Sequence, residues 1–159
     1  MRKETTCTLL FLIRDKEILL AMKKKRFGKG KWNGVGGKVD PGETVEQAAV
    51  RETEEEIGVV PIEYEKIGEI VFNEQYDGVP ERLTVHIFKC TKWENEPIES
   101  DEMSPKWFGV DKIPFDEMFA DDRHWFPLFL SGKKFRGRCD FDDDWQITDI
   151  EINEIDGFA

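Results

Sequence analysis

With 159 residues, 39% of them hydrophobic, the chain is expected to form one domain spanning 1–159 with a sizeable buried core. Its formal net charge of −11 excludes duplex nucleic acid as a partner, because that polyanion is met by basic surfaces. The apolar run LLFLI at 9–13 is too short to span a bilayer, and the three scattered cysteines (Cys7, Cys90, Cys139) lack metal-ligand spacing, so a cytoplasmic protein with reduced thiols and no membrane contact is expected.

Thr5–Ile13 is apolar and β-branched and predicts a buried strand. Glu17–Met22 predicts a second strand, joined to the first by a tight turn at RDKE. The following stretch, KKKRFGKGK at 23–31, carries six of the 23 basic residues and reads as a loop, either merely solvated or a local anion site in an acidic protein. WNGVGGKV at 32–39 is extended chain whose glycines suggest close backbone approach. DPGE at 40–43 is a turn. A helix over 44–58 follows, with capping-box spacing from Thr44 to Gln47, a left-handed C-terminal position at Gly58 and Pro61 soon after. Strands at 66–76 and 81–91 flank YDGVP as a hairpin, and 105–110 is a further strand. Residues 111–130 predict short aromatic-rich helical turns, and 134–141 with 146–155 a final hairpin. The fold class is α/β.

The helix holds the stretch RETEEEIG at 51–58. On a wheel of about 100° per residue, Glu52, Glu55 and Glu56 share one arc with Val45, Ala48 and Ala49. Val50, Thr53 and Ile57 form a second apolar strip, which leaves Gln47, Arg51 and Glu54 on the remaining flank. The helix is therefore expected to lie between layers, with three carboxylates on an inward side. Arg51 alone cannot balance three anions withdrawn from water. A divalent cation can, and oxygen ligands without His or Cys suit Mg2+ or Mn2+. A purely structural acidic cluster is the alternative.

From Gly37 the chain reads GKVDPGETVEQAAVRETEEEIGV: Gly37, five residues, Glu43, seven residues, Arg51-Glu52, two residues, Glu55-Glu56, one residue, then Gly58 and Val59. This pattern resembles the Nudix box of hydrolases that cleave a nucleoside diphosphate linked to another group. Thr53 departs from it, standing where the family has a bulky aliphatic. The resemblance implies mixed β-sheets sandwiched between helices (an α/β/α sandwich). It also implies a metal held by Glu52, Glu55 and Glu56, with Glu56 foremost and a backbone carbonyl of Gly36 or Gly37 added. Arg51 would orient the glutamates, and Glu102 or a box glutamate would serve as general base and further ligand.

MKKKRFGKGKWNGVGGKV, ESDEM, KIPFDEM and DDRHWFPL extend the likeness to the MutT-homologue class of oxidised-purine nucleoside triphosphatases, from about Thr8 to Ile155. That likeness implies Lys23, Asn33, Asp121 and Asp122 as nucleotide contacts and Phe27, Phe72 and Trp125 as pocket walls. Phe119 stands where the animal enzymes have a base-stacking tryptophan, and the hairpin NEQYDGVPER is about two residues longer than theirs. For the single residues, ordinary roles stand beside these: DD before an aromatic run is often a helix N-cap, and Trp125 is core by default. Two adjacent buried acids cannot both stay ionised, so one is expected to be neutral and to donate to a base carbonyl.

The expected partner is a small-molecule nucleotide acted on by a monomer. The expected reaction converts 8-oxo-dGTP or 2-oxo-dATP to monophosphate and pyrophosphate. Dihydroneopterin triphosphate, a nucleotide sugar or a dinucleoside polyphosphate is the alternative substrate, and a non-catalytic binding module the alternative class. DFDDDWQITDIE at 140–151 nearly fits a calcium loop. It fails at position six, where Trp145 stands instead of a residue tolerating positive φ, and its flanks alternate like strands. His86 and His124 are lone histidines without partners at ligand spacing.

Overall fold

A computed structural model describes residues 2–76 and 78–158, with only the backbone at Tyr76. Asp77, in the expected hairpin connection, lies outside the described residues. The strands are β1 (Lys3–Arg14), β2 (Glu17–Lys23), β3 (Trp32–Asn33), β4 (Val60–Tyr76), β5 (Val79–Glu94), β6 (Met103–Gly109), β7 (Phe135–Phe141) and β8 (Ile147–Glu154). The α-helices are α1 (Val45–Ile57) and α2 (Asp122–Leu130), with a 3-10 turn at Phe115–Glu117. The predicted elements are all present, and β4 and β5 run well beyond their expected ends.

The strand order is β3-β2-β1-β5-β4-β7-β8, with β6 on β2. β1 pairs parallel with β5, and β4 parallel with β7, while the remaining pairs are antiparallel. Side chains of a strand alternate between faces, and β1 feeds two cores in that way. Leu10 and Leu12 pack with Ala49 and Ile57 of α1, whereas Phe11 packs with Trp125, Phe126 and Phe129 of α2. The helices therefore cover opposite faces of the sheet, as the expected sandwich requires.

α1 begins with the expected capping box: Thr44 accepts from the Gln47 N–H, and the Gln47 side chain accepts from the Thr44 N–H. It ends at Gly58, whose φ of 72° an L side chain seldom adopts. The helix is not enclosed on two sides, however. Its sheet-facing side is buried, while Glu46, Gln47, Glu54 and Glu55 are exposed. Thr53, the departure from the box pattern, is buried and turns its hydroxyl onto the Ala49 carbonyl at 2.7 Å, so the lost apolar volume leaves no unpaired donor.

The window 140–151 forms the β7–β8 hairpin, flanked by strands as expected. Trp145 itself sits at φ 60°, the conformation the sequence reading denies to a tryptophan there. Ring contacts with Phe27 and Phe141 account for where its side chain goes.

Candidate active site

The carboxylates of α1 do not behave alike. Glu56 is 6% exposed, and its Oε1 accepts the Gly36 N–H at 3.0 Å. Burial pushes its carboxyl up to about 8, with the charges of Glu52 and Glu102 adding to the shift, while the Gly36 N–H and Lys23 oppose it. Glu52 is largely covered and lies under Gly37, where an added Cβ would sit 2.5 Å from its carboxyl carbon. At Gly36 an added Cβ would fall 1.9 Å from the Thr8 carbonyl oxygen, so the segment lies against β1 because position 36 is glycine and leaves room for Glu52 because position 37 is. Glu55 corrects the wheel: its side chain is 59% exposed and outside the inward arc. It stands at the margin of the covered side rather than beyond its end, because Glu56 and Ile57, farther along the helix, are buried.

Arg51 links these groups, as the resemblance implies. Its Nε and one terminal nitrogen grip Glu43 at 2.7 and 2.9 Å, and the other terminal nitrogen reaches Glu52 at 2.8 Å and Glu55 at 3.3 Å. The clamp holds the Glu43 carboxyl down at about 2. Such forked geometry is what distinguishes guanidinium from ammonium. Glu43 is a box position to which the sequence reading gives no role, and a bidentate partner for Arg51 is the role that the structure supplies.

Glu52, Glu56, Glu102 and Gly36 line a cavity of about 80 Å3 together with Lys23, Lys25 and Arg26. Here the acidic helix meets the basic loop. The loop is folded by Lys23 and Gly30 backbone bonds, and Arg26 and Gly28 take positive φ. Among the described residues no three acids are drawn together at metal-ligand spacing, but the oxygen donors of Glu52, Glu56 and Glu102 around one cavity, beside three cations, would suit a divalent cation accompanied by phosphate.

The loop continues to a second site. Phe27 meets Phe119 at 5.8 Å, and the Lys31 ammonium lies 5.7 Å over the Phe119 ring. Phe119 precedes Asp121 and Asp122, which are buried at the start of α2. Asp121 occupies the N-cap position without forming a side-chain cap bond, so the helix-cap explanation of the DD pair does not hold. Its Oδ2 instead accepts the Trp125 indole N–H at 2.9 Å. Among the described residues Asp122 Oδ2 is buried without a hydrogen-bond partner, an arrangement that favours a ligand donor or acceptor. Burial raises both carboxyls. Asp122 stands well above the usual aspartate range because the charge of Asp121 and its hydrogen bond add to burial.

One expected pocket wall is placed differently. Trp125 is 1% exposed and belongs to the core, stacked on Phe126 at 4.5 Å, so it braces Asp121 from below and lines no open wall. Phe72 is half-buried and stacked on Phe141 at 6.1 Å. Asn33 turns its carbonyl oxygen onto the Gly34 N–H at 2.8 Å, which ties up one of its recognition atoms locally. His86 pairs with Glu69 at 3.5 Å on the sheet. Lys31, Trp145 and Glu74 are close to the second site and were not singled out by sequence. Lys31 and Trp145 are found only through the fold, and Glu74 through its position two residues beyond Phe72 on the same strand face.

The fold and this double site define the class. The NUDIX domain family matches residues 3–129, and the chain belongs to that family. It is 48% identical over 149 residues to "Oxidized purine nucleoside triphosphate hydrolase" of Danio rerio, covering 94% of each chain. It is 44% identical over 151 residues to the protein of that name from Mus musculus, covering 95% of this chain and 96% of that one. In fold it matches the MutT protein of Bacillus halodurans with a TM-score of 0.83 at 24% identity, over 94% of this chain and 97% of that one. No described helix is long and apolar enough to cross a membrane.

Proposed function

We propose that this chain hydrolyses oxidised purine nucleoside triphosphates, of the 8-oxo-dGTP and 2-oxo-dATP type, to monophosphate and pyrophosphate, and so clears them from the nucleotide pool. The buried Asp121–Asp122 pair carries this reading. Among the described residues one of its oxygens lacks a partner, and the pair lies one basic loop away from the glutamate cavity. The names borne by the vertebrate relatives support the same assignment.

Asp122, whose carboxyl is pushed well up by burial and by Asp121, donates in its protonated form to an exocyclic carbonyl of the base, and Asp121 accepts from a ring N–H. Exchange of the proton between the two acids lets one pocket accept both oxidised guanine and oxidised adenine. Asn33 and the rings of Phe27, Phe72 and Phe119 complete the base site. Lys23, Lys25 and Arg26 meet the phosphates. Glu52 and Glu56, with Glu102 and a backbone carbonyl of Gly36 or Gly37, would hold Mg2+ or Mn2+, and Glu55 would join them only by swinging in from solvent. When bound, the cation offsets phosphate charge and lowers the pKa of an attacking water. Glu102 or a box glutamate takes the water's proton.

The test is a kcat/KM panel over 8-oxo-dGTP, 2-oxo-dATP, dGTP, dATP and dihydroneopterin triphosphate. Preference for the oxidised purines by ten-fold or more over dGTP is the expected outcome. Equal values for 8-oxo-dGTP and dGTP, or highest turnover of the pterin, would overturn it.

A further inference from the structure

The β7–β8 turn carries a residue that its own chemistry does not call for. Asp142 N–H donates to the Gln146 carbonyl at 2.9 Å, and Trp145 N–H to the Asp142 carbonyl at 3.1 Å. Asp142 Oδ1 accepts the N–H groups of Asp144 and Gln146, each at 2.9 Å. None of these bonds involves the indole. Trp145 sits at φ 60°, where glycine or asparagine would close the same turn without strain and a bulky side chain is an outlier. Strained positions of this kind persist where the surroundings use the side chain.

The position of the ring shows the use. Its centroid is 4.9 Å from Phe27 and 6.0 Å from Phe141. Phe141 continues to Phe72, and Phe27 continues to Phe119. Trp145 is thus the middle ring of five, in a row that runs from the sheet face to the residues preceding Asp121 and Asp122. It is half-buried and belongs to neither core cluster, although Phe72 and Phe141 pack against one of them. The phenyl of Phe119 offers less overlap to a bicyclic base than an indole does, and Trp145 is the one indole in the row.

We propose that Trp145 is a substrate-binding residue whose indole stacks on the purine held by Asp121 and Asp122. The strained turn delivers π surface that Phe119 does not provide. This assignment rests on the oxidised-purine reading above.

The test compares wild type with Trp145→Gly and Trp145→Phe. Glycine suits the positive φ, so Trp145→Gly removes the ring while relaxing the turn, and its Tm should stay within about 3 °C of wild type. Calorimetric titration with the product 8-oxo-dGMP, without metal, gives Kd, and turnover of 8-oxo-dGTP gives KM and kcat. Trp145→Gly should weaken Kd and KM about ten-fold with kcat within about two-fold, the scale of one base–aromatic stack. Trp145→Phe should fall between, at about three-fold, and carries the test alone if the glycine variant does not fold. Kd and KM within two-fold of wild type in the folded variants would overturn the proposal, whatever happens to Tm. A wild type that binds no 8-oxo-dGMP yet turns over another triphosphate would overturn the oxidised-purine reading and this proposal with it. The wild-type isotherm therefore tells the two failures apart.

Discussion

The indole N–H of Trp125 donates to Asp121 Oδ2 at 2.9 Å, one helical turn back along α2. The bond joins a fully buried core ring to one of two acids in the candidate base site, so the site is braced from the core and not from the surface. Trp125→Phe keeps an aromatic ring but leaves Asp121 a buried acceptor without its donor. That variant should lose about 1–3 kcal/mol of stability, the cost of an orphaned buried polar group, measured as a lower urea midpoint. Its KM for 8-oxo-dGTP should rise more than its kcat falls, because the acid loses its orientation and no reacting group is removed.

The second acid gives a pH signature. Asp122 has its folded pKa raised well above the ordinary aspartate value of 3.8, by burial, the charge of Asp121 and their hydrogen bond. A raised folded pKa means that the native state holds the proton longer than the unfolded state does. Stability is therefore fully present below about 3.8 and is lost as pH climbs through the higher folded value. Asp122→Asn, which cannot ionise, should flatten that decline and be more stable than wild type at alkaline pH in urea titrations. The same variant should lose discrimination between 8-oxo-dGTP and dGTP by ten-fold or more. Unchanged discrimination would show that the pair is only a structural feature of the helix start.

Glu56 is the most buried of the box carboxylates and is held by the Gly36 N–H. Glu56→Gln keeps the size and can still accept that bond, so circular dichroism and Tm should match wild type or exceed it slightly. Turnover should fall at least about 10³-fold, because the amide neither ligates a hard cation as an anion nor accepts a proton. Retained Mg2+-dependent hydrolysis would overturn the metal assignment. The exposed Glu55 supplies the contrast, and Glu55→Gln should cost less than Glu56→Gln by an order of magnitude or more.

The fold was largely legible in the sequence because its signals are local. Thr44 with Gln47 marks one end of α1, Gly58 the other, and the apolar, β-branched run Thr5–Ile13 marks a buried strand. The covered positions of Glu52 and Glu56 on α1 were legible because helix spacing is fixed, whereas Glu55 stands at the margin of that side and is exposed. Trp125 failed as a wall residue because spacing cannot tell a core ring from a pocket ring when both flank the same acids. Trp145 and Lys31 were hidden because they reach the site through tertiary contacts with Phe27 and Phe119. Cys7, Cys90 and Cys139 are free thiols, as expected.

Glu74 offers a prediction that spacing alone would not suggest. In the β4–β5 hairpin it lies directly across from Glu81, and two residues beyond Phe72, so it shares the face of the aromatic row. Like charges directly opposite on neighbouring strands are destabilising. Burial raises the Glu74 carboxyl to about 7, with Glu81 and Asp121 adding to the shift. Its contribution to stability is therefore present below the ordinary value of 4.5 and disappears as pH rises to about 7. Glu74→Gln should remove that loss, gaining about 1 kcal/mol over wild type at pH 8, a figure discounted because the group is half in water. At pH 4 the two proteins should unfold at nearly the same urea concentration. A gain of equal size at both pH values would show that packing, not ionisation, separates glutamate from glutamine at this position.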